Sequence, residues 1–251
     1  MLGKFFGIGE VPVGAPVLLL RDSLVIADLH LGFSLIGKDY PRRVQMKILR
    51  NEADAILGMI GDFRGGVREI IILGDIKEPI GFPKKIFREQ IGYFFRGIES
   101  YFEEIIIIRG NHDGRLADIL GEYGIEARIV DQYVKDVEGR KVLLVHGHIR
   151  PPQQMFLASD IIMVGHIHPG EVEIREKLWV VVGFQIDIPE VSMTQEKNLI
   201  IFPAANPRLI GTDITEDVVV DLIKRLSPVG SIPKINFGIK LSQQLEVVGS
   251  L

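Results

Sequence analysis

Cysteine is absent from the 251 residues. Disulfides and thiolate metal sites are therefore excluded, and the chain suits a reducing compartment. A strong net charge is missing too: 29 Lys and Arg stand against 33 Asp and Glu, a formal charge of −4. A protein that held nucleic acid mainly by counterion release would be basic, so any nucleic-acid role has to rest on a local site. Long apolar runs are lacking. None reaches the ~18 residues that suggest a membrane span. The N-terminal stretch is broken by Lys4, Glu10, Pro12 and Pro16, unlike the apolar core of a signal peptide. The expectation is a cytoplasmic protein with no membrane association. What remains is a globular composition, 47% hydrophobic and 25% charged, long enough for one substantial core. With no repeat, low-complexity block or linker, residues 1–251 read as one domain.

Short apolar runs recur along the chain: SLVIAD, REIIILGD, EEIIIIRGN, RKVLLVHGH, DIIMVGHIH, KLWVVVGF and KNLIIFPA. They are rich in Val and Ile and bounded by Gly, Pro or charge, which favours strands. Being apolar throughout, they predict sheets covered on both faces. Helical spacing appears at 42–60, just after Pro41, and at 84–102, with a shorter helix at 115–123 stopping before Gly124. The first half thus alternates strand and helix, and after about residue 170 strands dominate. EDVVVDLIKRLSP, from residue 216, is ambiguous: its valines suit a strand and its tail a helix. Residues 227–251 read as an edge strand or a loose tail.

The strand ends carry the chemistry. VIADLHLG ends in Asp28 and His30, IIILGDIKE in Asp75, IIIIRGNHDG in Asn111 and His112, VLLVHGH in His146 and His148, and IIMVGHIHP in His166 and His168. These motifs hold all six histidines of the chain. In sheets built from strand–helix units, the loops at the carboxyl ends of strands form the ligand crevice, so five such ends can converge. Asp, Asn and His offer oxygen and nitrogen ligands that suit Mn²⁺, Fe or Zn²⁺ better than Ca²⁺. A pair of ions needs a bridging carboxylate, and Asp75, alone after a glycine, is the natural candidate.

DLH, GD, GNHD, HGH and GHIH, in this order over residues 25–170, resemble the signature of the calcineurin-like metallophosphoesterases. ADLHLG, GHIHP and the later PAANPRLIGTDI resemble an SbcD-related prokaryotic group that includes phosphoesterases associated with DNA ligase. The resemblance implies an α/β fold, a four-layer αββα sandwich of two mixed β-sheets flanked by helices. It also implies two divalent ions, with Mn²⁺ favoured and Fe, Zn²⁺ or Ni²⁺ compatible. Asp28, His30 and His168 would hold one ion, and Asn111, His146 and His166 the other, with Asp75 shared. His112 would stay off the metals and protonate the leaving group, and Asn111 would also stabilise phosphoryl charge. The family often has an Asp where this chain has Glu78, which places the contact between Glu78 and His112 in question. Asp113 and His148 are candidates for supporting contacts behind the ligands, and Arg109 and Arg150 for contacts to substrate phosphate. The basic PRR at 41–43 and FPKK at 82–85 read as solvated surface.

The expected activity is hydrolysis of a phosphodiester, in nucleic acid, a nucleotide or a small organic or cyclic diester, by attack of a metal-bridging hydroxide. A phosphomonoester is the lesser alternative. Two further readings compete: a non-catalytic interaction scaffold on the same fold, and a subunit of a DNA repair or ligation assembly.

Overall fold

Runs of Ile, Val and Leu become the strands of the computed structural model, which describes residues 3–5, 7–173, 175–242 and 247–250. Among these residues the first sheet has seven strands lying in chain order. β1 (Gly3–Phe5), β2 (Gly9–Val11), β3 (Leu18–Leu20) and β4 (Ser23–Ile26) pair antiparallel. From β4 the sheet continues in parallel through β5 (Glu69–Ile72), β6 (Glu104–Ile108) and β7 (Arg128–Val130). A parallel step needs a crossover, and three helices supply them: α1 (Arg42–Phe63), α2 (Lys85–Glu99) and α3 (Leu116–Glu122).

The second sheet holds β8 (Gln132–Val137), β9 (Arg140–Val145), β10 (Ile161–Val164), β13 (Trp179–Ile188), β14 (Met193–Ile201), β15 (Ile232–Leu241) and β16 (Val247–Ser250). β9, β10 and β14 run parallel, and the other pairings are antiparallel, with β16 at one edge. A two-stranded ribbon of β11 (Gly170–Glu171) and β12 (Glu176–Lys177) precedes β13. The described part of 227–251 is therefore chiefly the strands β15 and β16; residues 243–246 and 251 lie outside the described residues.

Each central strand is apolar on both faces because each face meets a different layer. Leu24, Ile26, Ile70, Ile72, Ile105 and Ile107 pack on Ala53, Ile56 and Ile60 of α1, on Phe94 and Phe95 of α2, and on Ile119 of α3. Their alternates Val25, Ile71, Ile106 and Ile108 face Val142, Leu144, Ile161, Met163 and Ile200 of the second sheet. On its far side that sheet packs Leu143, Val145, Ile162 and Val164 against α4 (Gln153–Ala158) and α5 (Glu216–Leu226). The result is helices, sheet, sheet, helices, each strand obeying the period of two. In α5 the valine run forms a helix because Val219, Leu222, Ile223 and Leu226 fall on one buried face. Glu216 and Asp217 in its first turn and Lys224 and Arg225 in its last also complement the helix dipole. Among the described residues no helix is long and apolar enough to cross a membrane.

After β14 the chain crosses back to the first sheet, where Ala205 N donates to Ala27 O at 2.7 Å. Lys177 Nζ fastens this segment by donating to Ala204 O, at 2.6 Å, and to Asn206 O. Burial pushes the Lys177 ammonium down to about 7, against the pull of Asp28. Between pH 7 and the ordinary lysine value of 10.5, the unfolded chain holds a proton here that the folded chain lacks. Stability contributed by Lys177 therefore rises with pH through that window and is level below it. Urea denaturation of the wild type and Lys177→Met across pH 7–10.5 should show the difference moving in the wild type's favour as pH rises; a pH-independent difference would contradict the assignment.

Candidate metal centre

Parallel register brings the carboxyl ends of β4, β5 and β6 side by side, with Ile26 beside Ile72 and Ile72 beside Ile107. Val145 and Val164 are likewise neighbours at the ends of β9 and β10. Every loop carrying a candidate ligand starts within a few residues of these ends. Asp28 N donates to Gly74 O at 3.2 Å and His30 N to Asp75 O at 2.8 Å, tying the first two loops together. His166 N, from the second sheet, donates to Asp28 Oδ2 at 3.0 Å and so joins the sheets at the site.

The backbone is strained where the donors sit. Ten non-glycine residues among those described have positive φ, and five are Asp28 (56°), His30 (40°), Asp75 (49°), His166 (67°) and His168 (48°). Left-handed backbone at a non-glycine residue costs on the order of 1–3 kcal/mol and persists only where surrounding structure holds it. Gly110 shows how tight the fit is: a Cβ there would run into Asp75 Oδ1 and the Asp75 amide nitrogen.

Two donor sets meet at Asp75. Asp28, His30, Asp75 and His168 present ligand atoms that all lie within 4.8 Å of one another, and so do Asp75, His146 and His166. Asp75 Oδ2 stands 3.6 Å from His30 Nε2 and 3.3 Å from His146 Nε2, between the sets. Asp28 Oδ1 lies 3.2 Å from His168 Nε2. The Nε2 atoms of His30 and His168 approach to 3.2 Å. Asn111 Oδ1 is 3.2 Å from His146 Nε2. The outward nitrogens are already engaged: His30 Nδ1 with Glu78 Oε2 at 2.6 Å and His146 Nδ1 with Leu73 O at 2.8 Å. A ligating histidine typically has its other ring nitrogen bonded to a carboxylate or carbonyl in this way, leaving the inner nitrogen for a cation.

Asp28 and Asp75 are 0% and 2% exposed, and carboxylates so buried need compensating charge. Burial works to raise the Asp75 carboxyl, but His146, the amide of His112 and His30 hold it well below the usual range. Burial opposes a proton on His146, yet its bond to Asp75 and the charge of Asp28 raise it to about 9. Burial and the charge on His146 then push His166 down to about 4. Two buried carboxylates, converging imidazoles and an amide oxygen form a donor set that fits two divalent ions of intermediate hardness.

The remaining sequence candidates fall into two groups. Asp113 is buried and accepts from Ile76 N at 2.8 Å and Gly110 N at 2.8 Å, bracing the loops of Asp75 and Asn111. Glu78 turns its carboxylate to His30; its backbone carbonyl takes His112 Nδ1 at 2.7 Å. The link to His112 thus runs through the main chain, which is indifferent to the extra methylene of Glu. His148 lies against the site, its ring 5.2 Å from that of His146, with a buried Nδ1 that has no hydrogen-bond partner among the described residues. Arg109 pairs with Asp131 and is half-exposed, and Arg150 bonds Lys224 O; among the described residues neither forms a hydrogen bond or ion pair with the donor sets. Among the buried polar residues to which the sequence patterns assign no role are Glu52, Lys77 and Asn206. Lys77 Nζ holds the carbonyls of Pro79 and His112. Its signal was a lysine directly after the GDI of a core strand.

Residues 22–183, well over half of the chain, match the model of the calcineurin-like phosphoesterase superfamily domain. No curated protein matches the chain. Among solved structures it is similar to the Pseudomonas putida nuclease MPE, with 18% identity and a TM-score of 0.55 over 86% of this chain and 92% of that one, a likeness of fold. It is also similar to Yfce, a phosphoesterase from E. coli, with 15% identity and a TM-score of 0.42 over 91% of this chain and 97% of that one.

Gly110→Ala would place a Cβ against Asp75 and should displace its carboxylate from between the two donor sets. Calorimetric titration with Mn²⁺ should show affinity falling by about 10- to 100-fold, the range for disturbed ligand support, with cooperative unfolding retained. Unchanged affinity would show that Asp75 does not serve both sets.

Proposed function

The chain belongs to the calcineurin-like phosphoesterase superfamily, and we propose that it is a two-metal hydrolase of phosphodiesters. The observation that carries this reading is the position of Asp75 Oδ2 between His30 and His146, each belonging to a separate donor set. In this reading Asp28, His30 and His168 hold one ion, Asn111, His146 and His166 the other, and Asp75 both. Mn²⁺ is the ion that the family resemblance favours, and Fe, Zn²⁺ and Ni²⁺ are also compatible with this nitrogen and oxygen set. Bound there, such ions polarise phosphoryl oxygens and lower the pKa of water towards ~7.

The chain's own groups do the rest. Asn111 lies at the exposed mouth of the site, where its amide can steady charge on a phosphoryl oxygen. His112 is half-buried on the same loop. Its Nδ1 faces the Glu78 carbonyl, which can only accept, so Nδ1 keeps its hydrogen and Nε2 is the atom that gives up a proton. Lys77 on the His112 carbonyl and Asp75 Oδ1 on the His112 amide, at 2.9 Å, fix the backbone from which that ring projects. A proton given from Nε2 to a departing alkoxide is worth about 10² to 10⁴ in rate. The likeness to the SbcD-related group supports a diester over a monoester.

The test compares two leaving groups. With Mn²⁺, the wild type should cleave both bis-p-nitrophenyl phosphate and a dinucleotide. His112→Gln should lose about 10² to 10⁴ in kcat on the dinucleotide, whose alkoxide needs a proton. It should lose far less on the nitrophenyl ester, whose phenolate leaves without one. No diester hydrolysis with Mn²⁺, Fe²⁺, Zn²⁺ or Ni²⁺ would overturn the reading.

A further inference from the structure

We infer that Asn206, acting with the buried carboxylate of Glu52, is a positioning residue for the Asp28–His30 half of the centre. The inference rests on the two-metal reading above. Asn206 is 0% exposed. Its Nδ2 donates to Leu29 O at 2.8 Å, His30 O at 3.3 Å and Glu52 Oε1 at 3.3 Å. Its Oδ1 accepts from Arg208 N at 3.0 Å. One side of the amide thus meets three acceptors and the other a donor, so its orientation is unique. The Asn206 backbone N donates to Asp28 O at 3.5 Å, and the Ala205 backbone N donates to Ala27 O. Four consecutive carbonyls, residues 27 to 30, are therefore held by two residues from the far end of the chain.

Glu52, on the buried face of α1, secures the adjoining turn. It accepts from Gly32 N at 2.7 Å, Ser34 N at 2.9 Å and Ser34 Oγ at 2.6 Å, and is itself held by Gln90 Nε2 of α2 at 2.8 Å. Residues 27–34 are thus clamped between the 205–206 segment and two helices. The clamp matters because this stretch contains Asp28 and His30 at φ of 56° and 40°. Left to itself, that backbone would relax to an ordinary conformation and swing both donors out of the cluster. Among the described residues Asn111, His146 and His166 form no hydrogen bond with Asn206, so the effect should fall chiefly on the Asp28–His30–His168 half of the centre.

The clamp predicts a loss of metal affinity chiefly at one site. In calorimetry and Mn²⁺ electron paramagnetic resonance, the wild type should bind two ions with a spin-coupled signal. Asn206→Ala should keep one site near wild-type affinity, weaken the other by about 10- to 100-fold, and lose the coupled signal at one equivalent of excess Mn²⁺. Asn206→Asp keeps the acceptor for Arg208 N but lacks the donors, and should behave the same way. Glu52→Gln, nearly isosteric, should weaken the same site and decides the matter if the Asn206 variants do not fold. Two coupled sites of unchanged affinity in the folded variants, or equal weakening of both sites, would overturn the inference. Absence of Mn²⁺ binding by the wild type would instead overturn the two-metal reading itself.

Discussion

Two carboxylates with almost no access to water dictate this structure. Asp28 and Asp75 lie where the carboxyl ends of two packed sheets meet, and an isolated ionised carboxylate in such a place is very costly. Every nearby element answers that cost. His30, His146 and His168 turn nitrogens toward the two side chains, and the amides of His112 and His166 donate to them. Without a metal, a proton on His146 supplies part of the balance. Divalent cations bound there would supply far more and would compete with that proton.

Concentrating charge in this way requires a rigid frame. The alternation of Ile70, Ile71, Ile72 and of Ile105 to Ile108 between two apolar layers supplies it. Strand ends fixed on both faces leave little slack, and the strained residues at their tips stay strained. Asp113 and Lys77 carry that rigidity into the 110–112 loop, and Glu52 and Asn206 carry it into the 27–34 loop. Buried polar groups that are fully bonded in this manner specify one geometry.

Much of this was legible in the chain. The strand–helix alternation of the first half, the double-sided apolar strands and the grouping of every histidine at strand ends are local patterns. The helices at 42–60 and 84–102 correspond to Arg42–Phe63 and Lys85–Glu99, differing only at their ends. EDVVVDLIKRLSP was not legible, because strand propensity in its valines and helical placement of its core face conflict, and burial against β14 and β15 settles it. The roles of Glu52 and of Asn206, although the latter lies within PAANPRLIGTDI, were not legible for another reason. The two residues are 154 positions apart and meet only in the folded chain; a lone Glu in a helix and an Asn before a proline have bland local readings. Glu78 illustrates a third limit, since its side chain serves His30 while its carbonyl serves His112, a division no residue type discloses.

The centre can be seen directly by anomalous diffraction from crystals loaded with Mn²⁺. Two peaks are expected on either side of the Asp75 carboxylate, one against Asp28, His30 and His168, the other against Asn111, His146 and His166. A single peak, or peaks lying away from Asp75, would contradict the account.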